Sequence, residues 1–216
     1  MRRLILVRHA ESVMNAAGRI QGGQCQGLSD DGHAQSRHVG TALAEAYPQP
    51  RVVMSDLLRC QQTAGPLVAA LGRDPQTDPR LRERRFGDWE GLTRAEVEDR
   101  DPLRWQRWRE RDDTVLGEIG GETDAAFRDR IVPALREVLA DTPDDGVTVA
   151  VTHGGPVWYG THALLGLAPG TLGLVHNASV TELRSWDGER VVLERWNEIA
   201  HLPLDLRVGW RPSAVA

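Results

Sequence analysis

Leu4-Ile5-Leu6-Val7-Arg8-His9-Ala10-Glu11-Ser12 is the stretch on which the fold of this chain turns. Its first four residues form an apolar run with no polar interruption, which predicts a strand covered on both faces, as in a parallel sheet. A fixed cation and an imidazole, Arg8 and His9, then leave the strand at its C-terminal end. In open α/β sheets that edge is where ligands bind. A second strand, expected over Val147-Thr148-Val149-Ala150-Val151-Thr152, ends the same way in His153-Gly154-Gly155-Pro156. Two histidines at two strand exits, one of them preceded by arginine, point to one anion site built from both ends of the chain.

Working outward from the first strand, Ser29 followed by Asp30 and Asp31 reads as an N-cap with an acidic first turn, opening a helix to about Ala46. Pro48 and Pro50 break it. Arg51-Val52-Val53-Met54-Ser55 predicts a short strand, and a helix from about Leu57 to Leu71 follows, closed by Gly72. Strand, helix, strand, helix at these spacings is the pattern of a parallel sheet with right-handed crossovers. From Pro79 to Gly121 the pattern changes to Arg, Asp, Glu and Trp with no buried strand. Asp101-Pro102 reads there as N-cap and first position of a helix to about Arg111, with Trp105 and Trp108 on one face. Helical periodicity returns over Thr123–Leu139, and a further helix is expected from about Pro156. Short alternating runs around Asp187-Gly188 predict a hairpin.

The chain has 216 residues, 40% of them hydrophobic, and a net charge of −5. No run approaches the ~20 apolar residues needed to span a bilayer. The apolar run after Arg2-Arg3 is too short for a secretory h-region, so a cytoplasmic location is expected. Cys25 and Cys60 cannot make a disulfide framework. All 26 basic residues are arginine, which excludes Schiff-base, P-loop and kinase-type lysine chemistry. The acidic balance speaks against nonspecific nucleic-acid binding.

The chemistry concentrates in a few positions. Arginine holds phosphate through a planar fork of donors and stays charged. Arg8 leaves the first strand, and Arg59 falls in the first turn of the helix after the second, where unpaired N–H groups also collect anions. Gly154 and Gly155 would let backbone approach a ligand closely. His33, His38 and His162 fall in helices and read as solvated or packing residues. His201 has no partner identifiable from sequence, and His176 stands just before Asn177-Ala178-Ser179 with its access to the site open. No cluster has metal-ligand spacing.

These residues, together with Ser55-Asp56-Leu57-Leu58-Arg59-Cys60-Gln61-Gln62-Thr63-Ala64, Glu83 before Phe86-Gly87-Asp88-Trp89-Glu90-Gly91, and Thr152-His153-Gly154, resemble the histidine phosphatase superfamily, also called phosphoglycerate mutase-like. The blocks occur in the family's order and span residues 4 to about 197. The resemblance implies an α/β fold, a three-layer α/β/α sandwich with a mostly parallel central sheet, in which residues 1–216 form a single domain with a helical and loop lid insertion at about 85–121. It further implies a metal-independent phosphomonoester hydrolase working through a phosphohistidine. His9 would be the nucleophile, with its other ring nitrogen held by a backbone carbonyl. Arg8, Arg59 and His153 would neutralise the phosphoryl oxygens, with the N–H of Gly154 as a further donor. Glu83 would protonate the leaving oxygen and then activate water, and Asn15 and Gln21 would lie near the phosphate and the leaving group.

The chain departs from the family pattern at two places. Ala10 stands where many members have glycine, and Cys25-Gln26-Gly27-Leu28-Ser29 replaces an Asp-x-Pro-Leu-Thr run, which alters a loop beside the substrate. Cys25 reads as a small polar filler in that loop. The segment after Glu83 looks like the hydrolytic branch. A cofactor-dependent phosphoglycerate mutase is the first alternative, separable by phosphate release without a bisphosphorylated cofactor. A noncatalytic phosphoester-binding module is the second, although the retained His9, Glu83 and arginines argue for an enzyme. No cofactor is expected. The expected partner is a small phosphomonoester such as a sugar phosphate or glycerate derivative, with no nucleic acid, no membrane, and a homodimer left open.

Overall fold

The structure, a computed structural model, describes residues 1–24, 26–188 and 190–207. Among the described residues, six strands make one sheet: β1 (Arg2–Arg8), β2 (Arg51–Met54), β3 (Gln76–Thr77), β4 (Val147–Thr152), β5 (Val180–Ser185) and β6 (Val191–Glu198). Their spatial order is β3-β2-β4-β1-β5-β6. The pairs β3/β2, β2/β4 and β4/β1 are parallel, and β1/β5 and β5/β6 are antiparallel. β1 and β4 therefore lie side by side, Arg8 against Thr152, and their C-terminal exits meet.

The helices are α1 (Val13–Ala16), α2 (Asp30–Ala46), α3 (Leu58–Leu71), α4 (Arg94–Arg100), α5 (Pro102–Arg109), α6 (Thr114–Glu118), α7 (Asp124–Ala140) and α8 (Gly154–Leu165). Strand side chains alternate between the two faces of the sheet. Ile5, Val7, Val52, Val149 and Val151 pack with Val39 and Leu43 of α2 and Ala64 and Leu67 of α3. Leu4, Leu6, Val53 and Ala150 face the other way, onto Phe127, Ile131 and Leu135 of α7 and Val157 and Leu164 of α8. Two apolar layers on opposite faces make the chain a three-layer sandwich, which is why residues 4–7 of β1 have no polar face and the two threonines of β4, Thr148 and Thr152, are buried with internal hydrogen-bond partners. Ser29 caps α2 by accepting the Gly32 N–H at 3.0 Å, and Gly72 ends α3 in the left-handed region.

Residues 85–121 carry a third, smaller apolar cluster of Trp89, Val97, Trp105, Val115, Leu116 and Ile119. Trp105 and Trp108 stack with centroids 5.2 Å apart, as their shared face predicts. Here and elsewhere some boundaries move. α5 ends at Arg109, because Arg111 turns into the left-handed region. α8 begins at Gly154, not at Pro156, with His153 as its N-cap. β3, α1, α4 and α6 have no counterpart in the sequence reading.

Candidate active site

The β1 exit is immobilised from several directions. The His9 N–H donates to Thr152 O at 2.8 Å, and its carbonyl accepts from the N–H of Ala178 at 3.2 Å and from Nδ2 of Asn177 at 3.1 Å. The Ala10 N–H donates to the Thr63 hydroxyl, which donates in turn to Arg59 O at 2.6 Å. Nδ1 of His9 lies 2.7 Å from Ala10 O. A carbonyl only accepts, so this contact places the proton on Nδ1 and leaves the lone pair on Nε2. Burial first, then the charges of Arg59 and Arg8, hold the imidazole well below its ordinary pKa. His9 is thus a neutral base with a fixed tautomer.

Two guanidiniums flank it. Arg59 is fully buried: Nη2 donates to Gly22 O and Nη1 to Gln24 O, each at 2.9 Å, and Nε to Nδ1 of His153 at 3.1 Å. Arg8 donates through Nη1 to Val175 O at 2.5 Å, while its buried Nε has no protein partner among the described residues. Burial lowers the pKa of Arg8 to about 10, with Glu83 opposing and Arg59 reinforcing the shift, so the group keeps its charge at neutral pH. A buried, charged donor with no acceptor is costly unless an anion satisfies it.

His153 differs from its expected role as a cation. Its ring packs edge-on to His9, centroids 5.2 Å apart. Since Arg59 Nε is always a donor, Nδ1 of His153 must accept. Nε2 then carries the proton and donates to Ser55 Oγ at 2.9 Å. Burial, then Arg59, push its pKa well down. The positive charge at this edge therefore rests on Arg8 and Arg59, and His153 braces Arg59.

Glu83 reaches the same edge from the strap between the turns Pro79–Leu81 and Gly87–Trp89. Its Oε2 accepts the Gly155 N–H at 3.1 Å and its Oε1 the Arg84 N–H at 2.8 Å. A methyl group on Gly155 would collide with the Glu83 carboxylate and press on Phe127, so the glycine makes room for the acid. Gly154 lies against the Arg8 guanidinium, and as the first residue of α8 its N–H has no helical partner. Asn15 Oδ1 accepts from the Ser12 N–H at 3.3 Å and from Nδ2 of Asn177 at 3.1 Å. Gln21 donates to the Ser12 hydroxyl.

Asn177 and Ser55 are the residues that sequence reading did not single out. Their side chains act on groups 162 and 98 positions away, a relation no local pattern signals. Of the remaining histidines, His176 is half-buried and close enough to Arg8 to feel its charge. His201 contacts Ala178 O at 3.0 Å, the partner that sequence reading lacked. His162 is buried, its ring nitrogens engaged by Trp158 O and the Leu172 N–H, whereas His33 and His38 are exposed. Cys25 lies outside the described residues. Among the described residues no group of three or more His, Cys, Asp or Glu is placed to hold a metal ion, and no helix is long and apolar enough to cross a membrane.

Residues 4–199 match the family model of the histidine phosphatase superfamily (branch 1). Among curated proteins, a glucosyl-3-phosphoglycerate phosphatase of Mycolicibacterium vanbaalenii is 35% identical, over 95% of this chain and 99% of its own. A metal-independent phosphoserine phosphatase of Arabidopsis thaliana is 30% identical, over 92% of this chain and 82% of its own. Among solved structures, a mycobacterial glucosyl-3-phosphoglycerate phosphatase in complex with VO3 superposes with a TM-score of 0.79 at 36% identity, covering 91% of this chain and 99% of that one.

Proposed function

The chain belongs to the histidine phosphatase superfamily, and from that premise we propose that its phosphatase activity runs through a phosphohistidine on His9. The observation that carries this reading is the pairing of a neutral His9, its Nε2 lone pair set by the Ala10 carbonyl, with a buried Arg8 donor that lacks an acceptor. In the first step His9 Nε2 bonds to phosphorus, the ester P–O bond breaks, and the leaving oxygen takes the proton of Glu83. Water then attacks phosphorus, gives its proton to the Glu83 carboxylate, and the N–P bond breaks to release orthophosphate. Arg8, Arg59 and the N–H of Gly154 stabilise the equatorial oxygens. Preorganised donors of this kind are worth about 10²–10³ in rate each. No step calls on a metal. Residues 85–121 serve in this reading as a lid that shapes the substrate cleft, Asn15 and Gln21 contact substrate, and the enzyme works in the cytoplasm.

For substrate we propose a small phosphorylated metabolite, with glucosyl-3-phosphoglycerate first in line. The support is identity over nearly the full length of relatives bearing that activity in their names. The test is phosphate release from glucosyl-3-phosphoglycerate, phosphoserine and p-nitrophenyl phosphate, without a bisphosphorylated cofactor, by wild type and His9→Ala. Wild type is expected to release phosphate and to trap acid-labile, base-stable phosphate, and the variant to do neither. Turnover by His9→Ala, or label trapped on another residue, overturns the mechanism.

A further inference from the structure

We propose that Arg130 is the positioning residue of the general acid, holding the Glu83 strap in register with the phosphoryl site. This inference rests on the reading of Glu83 as the acid. Glu83 sits in irregular backbone between two short turns, where no ladder of strand or helix bonds fixes it. Arg130, in the second turn of α7, supplies what is missing. Nη1 donates to Arg80 O at 2.7 Å and Arg82 O at 3.0 Å, and Nη2 to Glu83 O at 3.2 Å. The other edge of the guanidinium is held bidentately by Glu122, Nε to Oε1 at 2.9 Å and Nη2 to Oε2 at 2.7 Å. Five N–H donors in one plane meet five acceptors, which a lysine ammonium cannot reproduce.

Glu122 closes the frame from the far side. Its Oε2 also accepts the Arg85 N–H at 3.0 Å, its own N–H donates to Arg85 O at 2.9 Å, and its carbonyl accepts Nε of Arg84 at 2.8 Å. The backbone on both sides of Glu83 is therefore tied to one ion pair. Arg130 also lies over the Phe127 ring, 5.1 Å from its centroid, and Phe127 is the ring beneath Gly155, where the Glu83 carboxylate docks. Burial works to raise the pKa of Glu122, but Arg130 and the Arg85 N–H prevail and hold it below the usual carboxylate range. Glu122 stays ionised and bonded, so it is part of the frame and no substitute for the acid.

The test compares phenyl phosphate with p-nitrophenyl phosphate, whose leaving groups differ in their need for a proton. Glu83→Gln should lower kcat/KM for phenyl phosphate by on the order of 10²–10⁴ and for p-nitrophenyl phosphate by much less. Arg130→Gln should show the same asymmetry with a smaller loss, about 10- to 100-fold on phenyl phosphate, and Arg130→Lys should recover part of it. In the Glu83→Gln background Arg130→Gln should cost nothing further, because there is no acid left to position. Equal losses on both substrates, or losses that multiply with Glu83→Gln, overturn the inference while leaving the acid intact. If Glu83→Gln itself fails to discriminate between the two substrates, the acid reading falls and this inference with it. Should Arg130→Gln not fold, Arg130→Lys carries the same comparison.

Discussion

Two buried imidazoles face two guanidiniums at the β1 and β4 exits, and this arrangement couples protonation of the site to stability of the fold. His9 and His153 are both held well below their ordinary pKa, by burial first and by Arg59 second. Unfolded, each would titrate near about 6.5. Between that value and the lower folded pKa the unfolded chain binds protons that the native chain refuses. Stability is therefore full above about pH 6.5 and is lost as pH falls toward the folded values, with a slope of about 1.4 kcal/mol per pH unit for each group. We expect the melting temperature to drop between pH 7 and pH 5, and His153→Asn, which removes one of the two groups, to flatten that drop. A slope unchanged in His153→Asn would show that the imidazole accepts a proton in the native state. Catalysis should follow the same sign: the acid limb of kcat/KM attributable to His9 lies below the ordinary histidine range.

At the scale of elements, the N-terminus of α8 decides where Glu83, the proposed acid, can stand. Gly155 occupies the second position of that helix, its N–H bonded to Glu83 Oε2, and a Cβ there would strike the carboxylate. Gly155→Ala improves intrinsic helix propensity by up to about 1 kcal/mol, so thermal stability should hold. The Glu83 carboxylate, however, must move, and if it is the proposed acid, hydrolysis of an alkyl phosphate should fall at least tenfold. Wild-type turnover in Gly155→Ala would mean that Glu83 is not seated on this helix during the reaction. The same helix shows what was legible beforehand. The apolar runs of β1 and β4 and the caps Ser29 and Gly72 announce themselves locally, and the residues at the strand exits follow from them. The sequence places the start of α8 two residues late, because Pro156 reads as a first helical position. The first four N–H groups of any helix lack intrahelical partners, so a proline at the third position, like one at the first, sacrifices no helix bond. β3 and α1, of two and four residues, are too short to carry a period at all. The Arg130–Glu122 frame and the Asn177 bridge were illegible for another reason. Many of their bonds run from side chains to backbone carbonyls and amides, which every residue type supplies, and their side-chain pairs, Arg130 with Glu122 and Asn177 with Asn15, follow no local motif.

Across the whole molecule, the segment 85–121 is tied to the Arg59 guanidinium through one short loop. The Ile20 N–H donates to Leu92 O at 2.8 Å and the Gly91 N–H to Ile20 O at 2.7 Å, so the segment and the loop share backbone bonds. Glu90 adds a side-chain bridge, Oε1 accepting the Phe86 N–H at 3.0 Å and Oε2 the Gly23 N–H at 3.1 Å. Gly22 beside it is in the left-handed region and leaves no room for a Cβ against the Glu90 carboxylate. The carbonyls of Gly22 and Gln24 in turn hold both Nη atoms of Arg59. Glu90 is therefore linked through this loop to Arg59, and in the proposed mechanism it acts through charge placement and not through proton transfer. Glu90→Gln keeps one acceptor oxygen but replaces the other with an amide nitrogen, so either Phe86 or Gly23 loses its partner. Loosening the loop in this way should weaken competitive inhibition by inorganic phosphate by about tenfold, a fraction of what deleting a donor outright costs. The loss in kcat/KM should be the same for phenyl and p-nitrophenyl phosphate, since the role proposed for Arg59, stabilising phosphoryl charge, does not depend on the leaving group. A loss confined to phenyl phosphate, with phosphate inhibition unchanged, would instead make Glu90 the proton donor and displace Glu83 from that role.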